Sequence, residues 1–403
     1  MLRDWVRSWV RNQIFERFHA ALGAAFGVSV AVLIAWGVAV GAGPRALAWK
    51  PLFALAVALG AAGGWALPRG VELARAGPRA RAGLRAAFAV GFALLALAAG
   101  VAGFTAAFGG LALLLASAGL SAESGLAIFR GGSAAGVAGL AAALAWGFAV
   151  EPARLEVTRL RVALPGAPAG LRIAHLSDLH IGNGMDGRRL DALLARVDAL
   201  APDLVVLTGD LFDHDPSAVG AGARALGRLR APLGVFAVLG NHDVRVGAEL
   251  VAGALADHAP EVTLLRDAWR RLPAAAPLYV AGVDDPGRDW TGLRGRGLPA
   301  LARLAAALPA DGPAILLVHR PDAFPQAASL GFGLVLAGHF HGGQIALPTA
   351  GGRWNAARLL SRFHRGLYRR GDSSLYVSRG LGFAGPRIRI GSRREIALLE
   401  IHG

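Results

Sequence analysis

Five short clusters of acidic, amide and imidazole side chains lie in the second half of the chain. The first is Asp178-Leu-His180, which follows the apolar run Leu171–Leu176. Residues two apart on an extended segment point the same way, so this carboxylate and imidazole can face one spot. The later clusters are Gly209-Asp210 with Asp213, Gly240-Asn241-His242-Asp243, His319, and Gly338-His339-Phe340-His341.

These clusters offer oxygen and imidazole-nitrogen ligands and no thiolate, a set that suits Mn, Fe or Zn ions better than soft metals. The set is large enough for two divalent ions about 3.5–4 Å apart, if one carboxylate bridges them. Such a pair can polarise a phosphoryl group and deprotonate a bridging water. The residues therefore predict a dinuclear-metal phosphohydrolase in which a metal-bridging hydroxide attacks phosphorus.

The elements that must position these side chains alternate between short apolar runs and helical patterns, which predicts a layered α/β domain. The candidate ligands lie just after the ends of the apolar runs, where a rigid framework commonly presents its chemistry on loops. Strands are expected near 155–162, 171–176, 204–207, 234–239, 278–283, 314–318, 332–337, 374–377, 387–390 and 396–401, the first at a sheet edge. Helices are expected near 188–200, 218–230, 247–256 and 298–307.

The five ordered motifs resemble those of the calcineurin-like metallophosphoesterases over Leu171 to about Ile401. The stretches Gly342-Gly-Gln344, Ser378–Gly382 and Arg394–Ile396 resemble the bacterial membrane-tethered branch, which includes phosphoesterases similar to UDP-2,3-diacylglucosamine hydrolase. The resemblance implies a two-sheet β-sandwich flanked by helices, acting on phosphodiester or pyrophosphate bonds.

The resemblance also implies a role for each matching residue. One ion would be held by Asp178, His180, Asp210 and His341. The other would be held by Asp210, Asn241, His319 and His339. His242 would contact the phosphate and protonate or stabilise the leaving oxygen.

Three further residues have expected supporting roles. Asp213 and Asp243 are expected to orient histidines, with a helix cap as the alternative for Asp213. The family often has Asn-Pro after the position of His319, whereas this chain has Arg320-Pro321. Arg320 is therefore a candidate phosphate-binding guanidinium at the rim, and a solvated arginine is the alternative.

The first 150 residues are too apolar for an ordinary soluble enzyme and predict an all-α membrane anchor. Met1–Ala20 combines arginines with Trp and Phe, as an interfacial amphipathic helix does. Four apolar spans follow, near 20–42, 51–67, 86–118 and 134–150; Gly109-Gly110 could break the third and give a fifth. Buried helices of a soluble bundle would need polar faces, which these spans lack. The expected organisation is an anchor over 1–150, a connector over 151–170 and a phosphoesterase domain over 171–403.

Arginine counts in the short loops predict the orientation. The N-terminus has four arginines and the loop Pro68–Arg85 has five, whereas Ser121–Ser133 has only Arg130. Four crossings of a bacterial inner membrane, with both ends and the catalytic half in the cytoplasm, fit this pattern. The span centres contain no ionisable residue, which favours an anchor over a transporter.

Composition excludes several classes of protein and leaves the substrate open. The chain has no cysteine, which excludes disulfides, zinc ribbons and thiol nucleophiles. The net charge of +15 comes from arginines spread through loops rather than from one basic stripe, which argues against a nucleic-acid partner. Expected partners are the lipid bilayer and a phosphoester, with tethering favouring a lipid-linked one. The alternatives are soluble nucleotides or phosphoproteins, or a non-catalytic membrane sensor.

Overall fold

The structure is a computed structural model that describes residues 78–185, 187–287, 298–350 and 352–403. The chain divides into two units, Met1–Trp146 and Gly147–Gly403. The expected interfacial helix at Met1–Ala20 and the first two apolar spans lie outside the described residues.

Two long helices precede the domain: α1 (Pro78–Ser117) and α2 (Ala122–Ala149). Both are rich in Ala and Leu, which favour helix. The α1 helix runs unbroken through Gly109 and Gly110, so this stretch is one helix rather than two. Ala99–Ser117 and Ala122–Ala153 are long and apolar enough to cross a membrane, a criterion of length and composition that core helices also meet.

The unit Gly147–Gly403 contains two six-stranded sheets, as the predicted sandwich requires. The first has the order β1-β14-β2-β3-β4-β5 and the second β12-β13-β9-β8-β7-β6. The strands of the first sheet are β1 Leu155–Ala163, β2 Arg172–Leu176, β3 Leu204–Thr208, β4 Val235–Val238, β5 Val262–Leu264 and β14 Arg394–His402. Those of the second are β6 Ala268–Arg271, β7 Tyr279–Val283, β8 Ala314–Val318, β9 Leu334–Ala337, β12 Gly366–Arg370 and β13 Ser373–Val377. A separate hairpin joins β10 (Leu347–Thr349) to β11 (Gly352–Trp354).

Among the residues that the structure describes, five helices of eighteen residues or fewer accompany the sheets: α3 Gly187–Asp198, α4 Val219–Leu226, α5 Asn241–His258, α6 Pro299–Ala307 and α7 Phe324–Ser329. The α3 helix buries Leu190, Leu193, Leu194 and Val197 at the spacing of one helical face. The α5 helix begins at Asn241, six residues before the expected start, and changes direction at Gly247, where φ is 131°. The early start places the Asn241-His242-Asp243 motif on the first turn of a helix.

The core between the sheets explains why the site lies at one end of the sandwich. Ile173, Val206 and Leu317 are fully buried in a cluster to which both sheets contribute. Strands β2, β3 and β4 run parallel, as do β7, β8, β9 and β13. Their carboxyl ends therefore deliver the candidate ligands to a common edge. Predicted strands were confirmed at nine of the ten positions, including the edge strand β1.

The tenth predicted strand, Arg387–Ile390, is wrong. Apolar and basic residues alternate in this segment as they do in a strand. Its backbone hydrogen bonds, however, go to several different partners rather than to one neighbouring strand. Arg389 N–H donates to Gly147 O, and Ile390 N–H donates to Gln344 O. Strands β5, β6, β10, β11 and β12 were not expected, because they are short and carry few alternating apolar residues.

Two glycines give a paired test of the sandwich packing. A Cβ on Gly282 in β7 would lie 2.5 Å from Leu265 Cβ and 2.6 Å from Val238 Cγ1, whereas one on Gly253 in α5 meets nothing within 4 Å. We expect Gly282→Ala to destabilise the fold by about 1–3 kcal/mol through overpacking. Gly253→Ala should stabilise it by up to about 1 kcal/mol. Thermal unfolding of the full chain in detergent measures both, and equal shifts would contradict this packing.

Candidate metal centre

The first group of candidate ligands surrounds His180 Nε2, which is fully buried. This nitrogen lies 3.1 Å from His341 Nε2 and 3.7 Å from Asp210 Oδ2. His341 Nε2 lies in turn 3.5 Å from Asp178 Oδ1. These four side chains come from the loops after β2, β3 and β9, and together they match the set expected for one ion.

The second group surrounds His319 Nε2 and includes the same carboxylate oxygen. This nitrogen lies 3.2 Å from Asp210 Oδ2, from Asn241 Oδ1 and from His339 Nδ1. Asp210 Oδ2 therefore belongs to both groups, as a bridging carboxylate must. All seven residues expected to bind metal lie in these two groups.

The spacing and chemistry of these atoms fit divalent cations. Two ligands about 2.1 Å from one ion at tetrahedral angles lie about 3.4 Å apart, close to the separations seen here. The ligand atoms of Asp178, His180 and His341 all lie within 4.8 Å of one another, as do those of Asp210, His319 and His339. Nitrogen and oxygen atoms that converge in a buried space are a suitable set of ligands for a cation.

Hydrogen bonds select the nitrogen that each histidine presents to the centre. His319 Nδ1 lies 2.8 Å from Thr208 O, an atom that can only accept, so Nδ1 carries a proton and Nε2 is the nitrogen that faces the other candidate ligands. His180 Nδ1 lies 3.3 Å from Asp213 Oδ1, which again leaves Nε2 facing the other ligands. Both contacts have the geometry by which outer groups orient metal-binding imidazoles.

His242 lies at the open side of the centre. Its Nδ1 lies 3.0 Å from Asp213 Oδ1, and its ring packs edge-on against His180 with 4.5 Å between centroids. Its side chain is 14% exposed, whereas that of His180 is fully buried. The contacts of Asp213 thus match the histidine-orienting role, and the helix-cap alternative is wrong. The cap of the following 3-10 helix is Asp215, which accepts from Ser217 N–H.

Asp243 differs from its expected role. Its carboxylate contacts backbone rather than histidine: it accepts N–H bonds from Leu211 and Phe212 after β3, and from Gly240 after β4. Burial, followed by the charge of Asp210, raises the pKa of Asp243 to about 7. The residue therefore holds two ligand-bearing loops together.

Arg320 was expected at the rim and is instead 2% exposed. Its Nε lies 2.6 Å from Asp285 Oδ2 and a terminal nitrogen lies 3.1 Å from Asp285 Oδ1, a bidentate pair. A guanidinium held by a buried carboxylate is not available to an incoming phosphate. The pair instead supports the segment that carries His319.

The charges of the centre keep its shared carboxylate ionised. Burial acts to raise the pKa of Asp210, but the His319 and His242 charges outweigh it and hold that pKa well below its usual value. Burial acts to lower the pKa of His319, but Asp210 outweighs it and raises that pKa to about 10. Burial, with His180 and Arg389 nearby, lowers the pKa of His341 well below its usual value.

The backbone at the ligands is strained. Five of the seven expected ligands have positive φ, a region that non-glycine residues rarely adopt. They are Asp178 at 51°, His180 at 47°, Asp210 at 49°, His339 at 76° and His341 at 51°. Strain of this kind concentrates at functional sites, where the surrounding structure enforces it.

Residues near the C-terminus support His341 and were not foreseen from the sequence. Ser392 Oγ donates to His341 O, and a terminal nitrogen of Arg389 lies 3.4 Å from His341 Nδ1. Arg389 is fully buried and donates to the carbonyl oxygens of Arg379, Gly382 and Ser392. The Pro-Arg-Ile-Arg-Ile pattern that ends at Ile390 alternates as a strand does, so the sequence gives little sign of this support.

Comparisons with known proteins agree with this geometry. The family described as calcineurin-like phosphoesterase matches residues 171–343. A metallophosphoesterase of Campylobacter jejuni is 34% identical over 250 residues, covering 62% of this chain and 63% of that protein. The metallophosphoesterase YkuE of Bacillus subtilis is 30% identical over 262 residues, covering 62% of this chain and 87% of that protein.

A relative from Bos taurus is called a transmembrane protein with metallophosphoesterase domain. It is 33% identical over 262 residues, covering 62% of this chain and 57% of its own length. The chain thus spans less than two thirds of the Campylobacter and Bos relatives. The matched residues, the share of YkuE that is covered and the converging histidines and carboxylates lead to one conclusion: the chain belongs to the calcineurin-like metallophosphoesterases, a family of metal-dependent phosphoester hydrolases.

Proposed function

We propose that this chain is a membrane-anchored phosphohydrolase that uses two divalent ions to cleave phosphodiester or pyrophosphate bonds. The observation that carries the proposal is the position of Asp210 Oδ2, within 3.7 Å of His180 Nε2 and 3.2 Å of His319 Nε2. One carboxylate oxygen lies in both groups of candidate ligands. A centre with two metal ions needs such a shared oxygen, whereas a centre with one ion does not.

Each ion would have its own set of ligands around the shared carboxylate. The first would be held by Asp178, His180, Asp210 and His341, and the second by Asp210, Asn241, His319 and His339. Bound there, the ions would supply Lewis acidity toward a phosphoryl oxygen and toward water. The oxygen and nitrogen donors are compatible with Mn, Fe or Zn.

The protein's own groups would then position the substrate and move a proton. Asp213 accepts from Nδ1–H of His242, so Nε2 of that ring is the atom available to the substrate. In its imidazolium form, His242 can donate the Nε2 proton to the oxygen that leaves phosphorus. The backbone N–H of His242 donates to Asp210 Oδ1, 2.7 Å away. This hydrogen bond fixes the position of His242 relative to the shared carboxylate.

The proposed location is the cytoplasmic side of a bacterial inner membrane, with lipid-linked phosphoesters as the favoured substrates. Support comes from the two long apolar helices, from the arginine distribution and from the name of the Bos relative. A tethered active site meets a lipid-linked phosphate without the substrate leaving the bilayer. Soluble nucleotides and phosphoproteins are the rival substrates, and a substrate screen that includes lipid extracts separates the two classes.

Removal of the shared carboxylate tests the metal assignment. We expect the wild-type chain to retain about two ions after gentle purification. The Asp210→Ala variant should lose most of these ions, because each of the two groups of ligands loses one member. Asp215→Ala is the matched control, since it removes a nearby carboxylate that caps a 3-10 helix. Metal content by mass spectrometry decides, and unchanged stoichiometry in Asp210→Ala would refute the shared site.

The role of His242 makes a separate prediction on activity. His242→Gln should lower kcat for bis(p-nitrophenyl) phosphate with Mn²⁺ by about 10²–10⁴-fold while metal content is retained. His258→Gln changes an exposed histidine at the other end of the same helix and should leave kcat unchanged. General acid catalysis typically contributes far more than a twofold acceleration. A kcat for His242→Gln within twofold of wild type would therefore contradict the role of His242 as an acid.

Cysteine labelling tests the orientation, since the native chain has no cysteine. In the four-crossing topology, Ser121 lies outside and His402 lies in the cytoplasm. A membrane-impermeant maleimide should therefore label Ser121→Cys in intact spheroplasts and His402→Cys only after permeabilisation. The opposite pattern would place the catalytic unit outside.

A further inference from the structure

The stretch between the His339–His341 motif and β13 has an unusual composition. We call residues 347–370 the basic segment; it contains β10, β11, a 3-10 helix at Ala356–Leu359 and β12. It carries six arginines and no Asp or Glu. A water-facing loop would ordinarily mix both signs of charge, so this segment calls for an explanation.

Large apolar side chains are exposed on the same segment. In the described part of the Gly147–Gly403 unit, five large hydrophobic residues are exposed, and four of them lie here. Their exposed fractions are 51% for Leu347, 42% for Trp354, 73% for Leu359 and 39% for Leu367. Clustering of this kind marks an interaction surface, whereas scattered single residues do not.

The backbone brings apolar and basic side chains side by side. Leu347 and Trp354 are directly opposite each other in the β10–β11 hairpin, and Pro348 is opposite Arg353. On the edge strand β12, Leu367 and Arg369 are exposed while Tyr368 between them packs on Phe363, 5.1 Å between ring centroids. An aromatic and several leucines beside arginines form the composition that lies at a lipid headgroup boundary.

The arginines of the basic segment form no ion pair within the described structure, although the charge of Glu395 acts on Arg365. Within the described structure, Arg353, Arg358 and Arg365 form no side-chain hydrogen bond and no ion pair, and one terminal nitrogen of Arg365 is buried without a partner. Burial, together with Arg379 and Arg353, lowers the pKa of Arg365. Unpaired guanidinium groups held near each other attract an anion.

Three more arginines line a concave surface. Arg362, Arg369 and Arg370 surround an open cleft of about 570 Å³ with Phe324, Phe363 and Tyr368. Arg362 lies over the Phe363 ring at 4.5 Å, which holds its charged end at the cleft. A cleft of this size and charge accommodates a phosphate-bearing headgroup.

The basic segment begins beside the point where the chain enters the domain. Gly147 O, in the last turn of α2, accepts from Arg389 N–H at 3.0 Å. The next residue, Ile390, accepts at 2.7 Å from Ala346 N–H, which immediately precedes β10. Hydrogen bonds of Arg389 and Ile390 therefore link Gly147 to the residue that precedes the hairpin.

We propose that the basic segment seats on the anionic phospholipid surface of the membrane, with its arginines on lipid phosphates and Leu347, Trp354 and Leu359 at the headgroup–acyl boundary. The proposal rests on the proposed membrane attachment. Charge complementarity selects this occupant: anionic headgroups supply the negative charge that the segment lacks. Asn355 in this segment packs against Gly343, two residues after His341, so docking brings lipid phosphates beside the proposed metal centre.

The absence of cysteine makes the test direct. Leu359→Cys is labelled with an environment-sensitive fluorophore in the full chain and reconstituted into nanodiscs of phosphatidylcholine, with or without phosphatidylglycerol. Leu250→Cys, at an exposed apolar position on α5, is the matched control. With the anionic lipid, we expect blue-shifted emission and several-fold weaker iodide quenching at position 359 and no change at 250. Arg353→Gln, Arg358→Gln and Arg362→Gln combined should abolish the shift.

Two outcomes would overturn the proposal. They are identical spectra in both lipids and an equal shift at position 250. Hydrolysis of bis(p-nitrophenyl) phosphate is measured on the same samples. Retained Mn²⁺-dependent hydrolysis without a lipid response would reject the docking surface alone, whereas loss of hydrolysis in wild type would reject the proposed function.

Discussion

The shared carboxylate of Asp210 is the constraint on which the rest of the site depends. Its Oδ1 is held by the N–H of His242 and its Oδ2 lies between two groups of ligands. This position requires the loops after β3 and β4 to touch. A Cβ on Gly209 would lie 2.7 Å from Gly240 Cα, and one on Gly240 would lie 2.3 Å from Asp210 Oδ1. Glycine at both positions is therefore a condition for the carboxylate to reach the centre.

The two-sheet sandwich holds the loops around Asp210 in this geometry. Positive φ at five candidate ligand positions costs about 1–3 kcal/mol each, and the loops would relax if nothing opposed them. Buried parallel strands on both sides oppose this relaxation, because their carboxyl ends are fixed by the core between the sheets. The carboxylate of Asp243 adds three backbone hydrogen bonds across the two loops that meet at Asp210. The strained backbone at the candidate ligands thus persists because the strands that carry these loops are rigid.

The sequence predicted the parts of the structure that depend on local patterns. Buried strands are continuous apolar runs, and the candidate ligands follow them at motif spacing, so the strands could be located and the candidates selected without coordinates. The part that failed depends on contacts between distant segments. Arg320 is a charged residue of the kind expected at the rim of a site. It is buried because it pairs with Asp285, which lies 35 positions earlier in the sequence. Arg389 alternates with isoleucines as in a strand, yet its own N–H donates to Gly147 O and the N–H of Ile390 donates to Gln344 O.

The buried arginines also change how the basic composition is understood. Arg389 and Arg394 are held largely by backbone carbonyls, so part of the charge of +15 belongs to internal supports rather than to a partner surface. Arg389 connects two ends of the domain: its backbone N–H bonds Gly147, and its guanidinium bonds Gly382, whose own N–H donates to Asp178 O. The Glu151 carboxylate repeats the link by accepting from Gly391 N–H. The loop that supports Asp178 is therefore tied, through Arg389, to the residues at which the chain enters the domain.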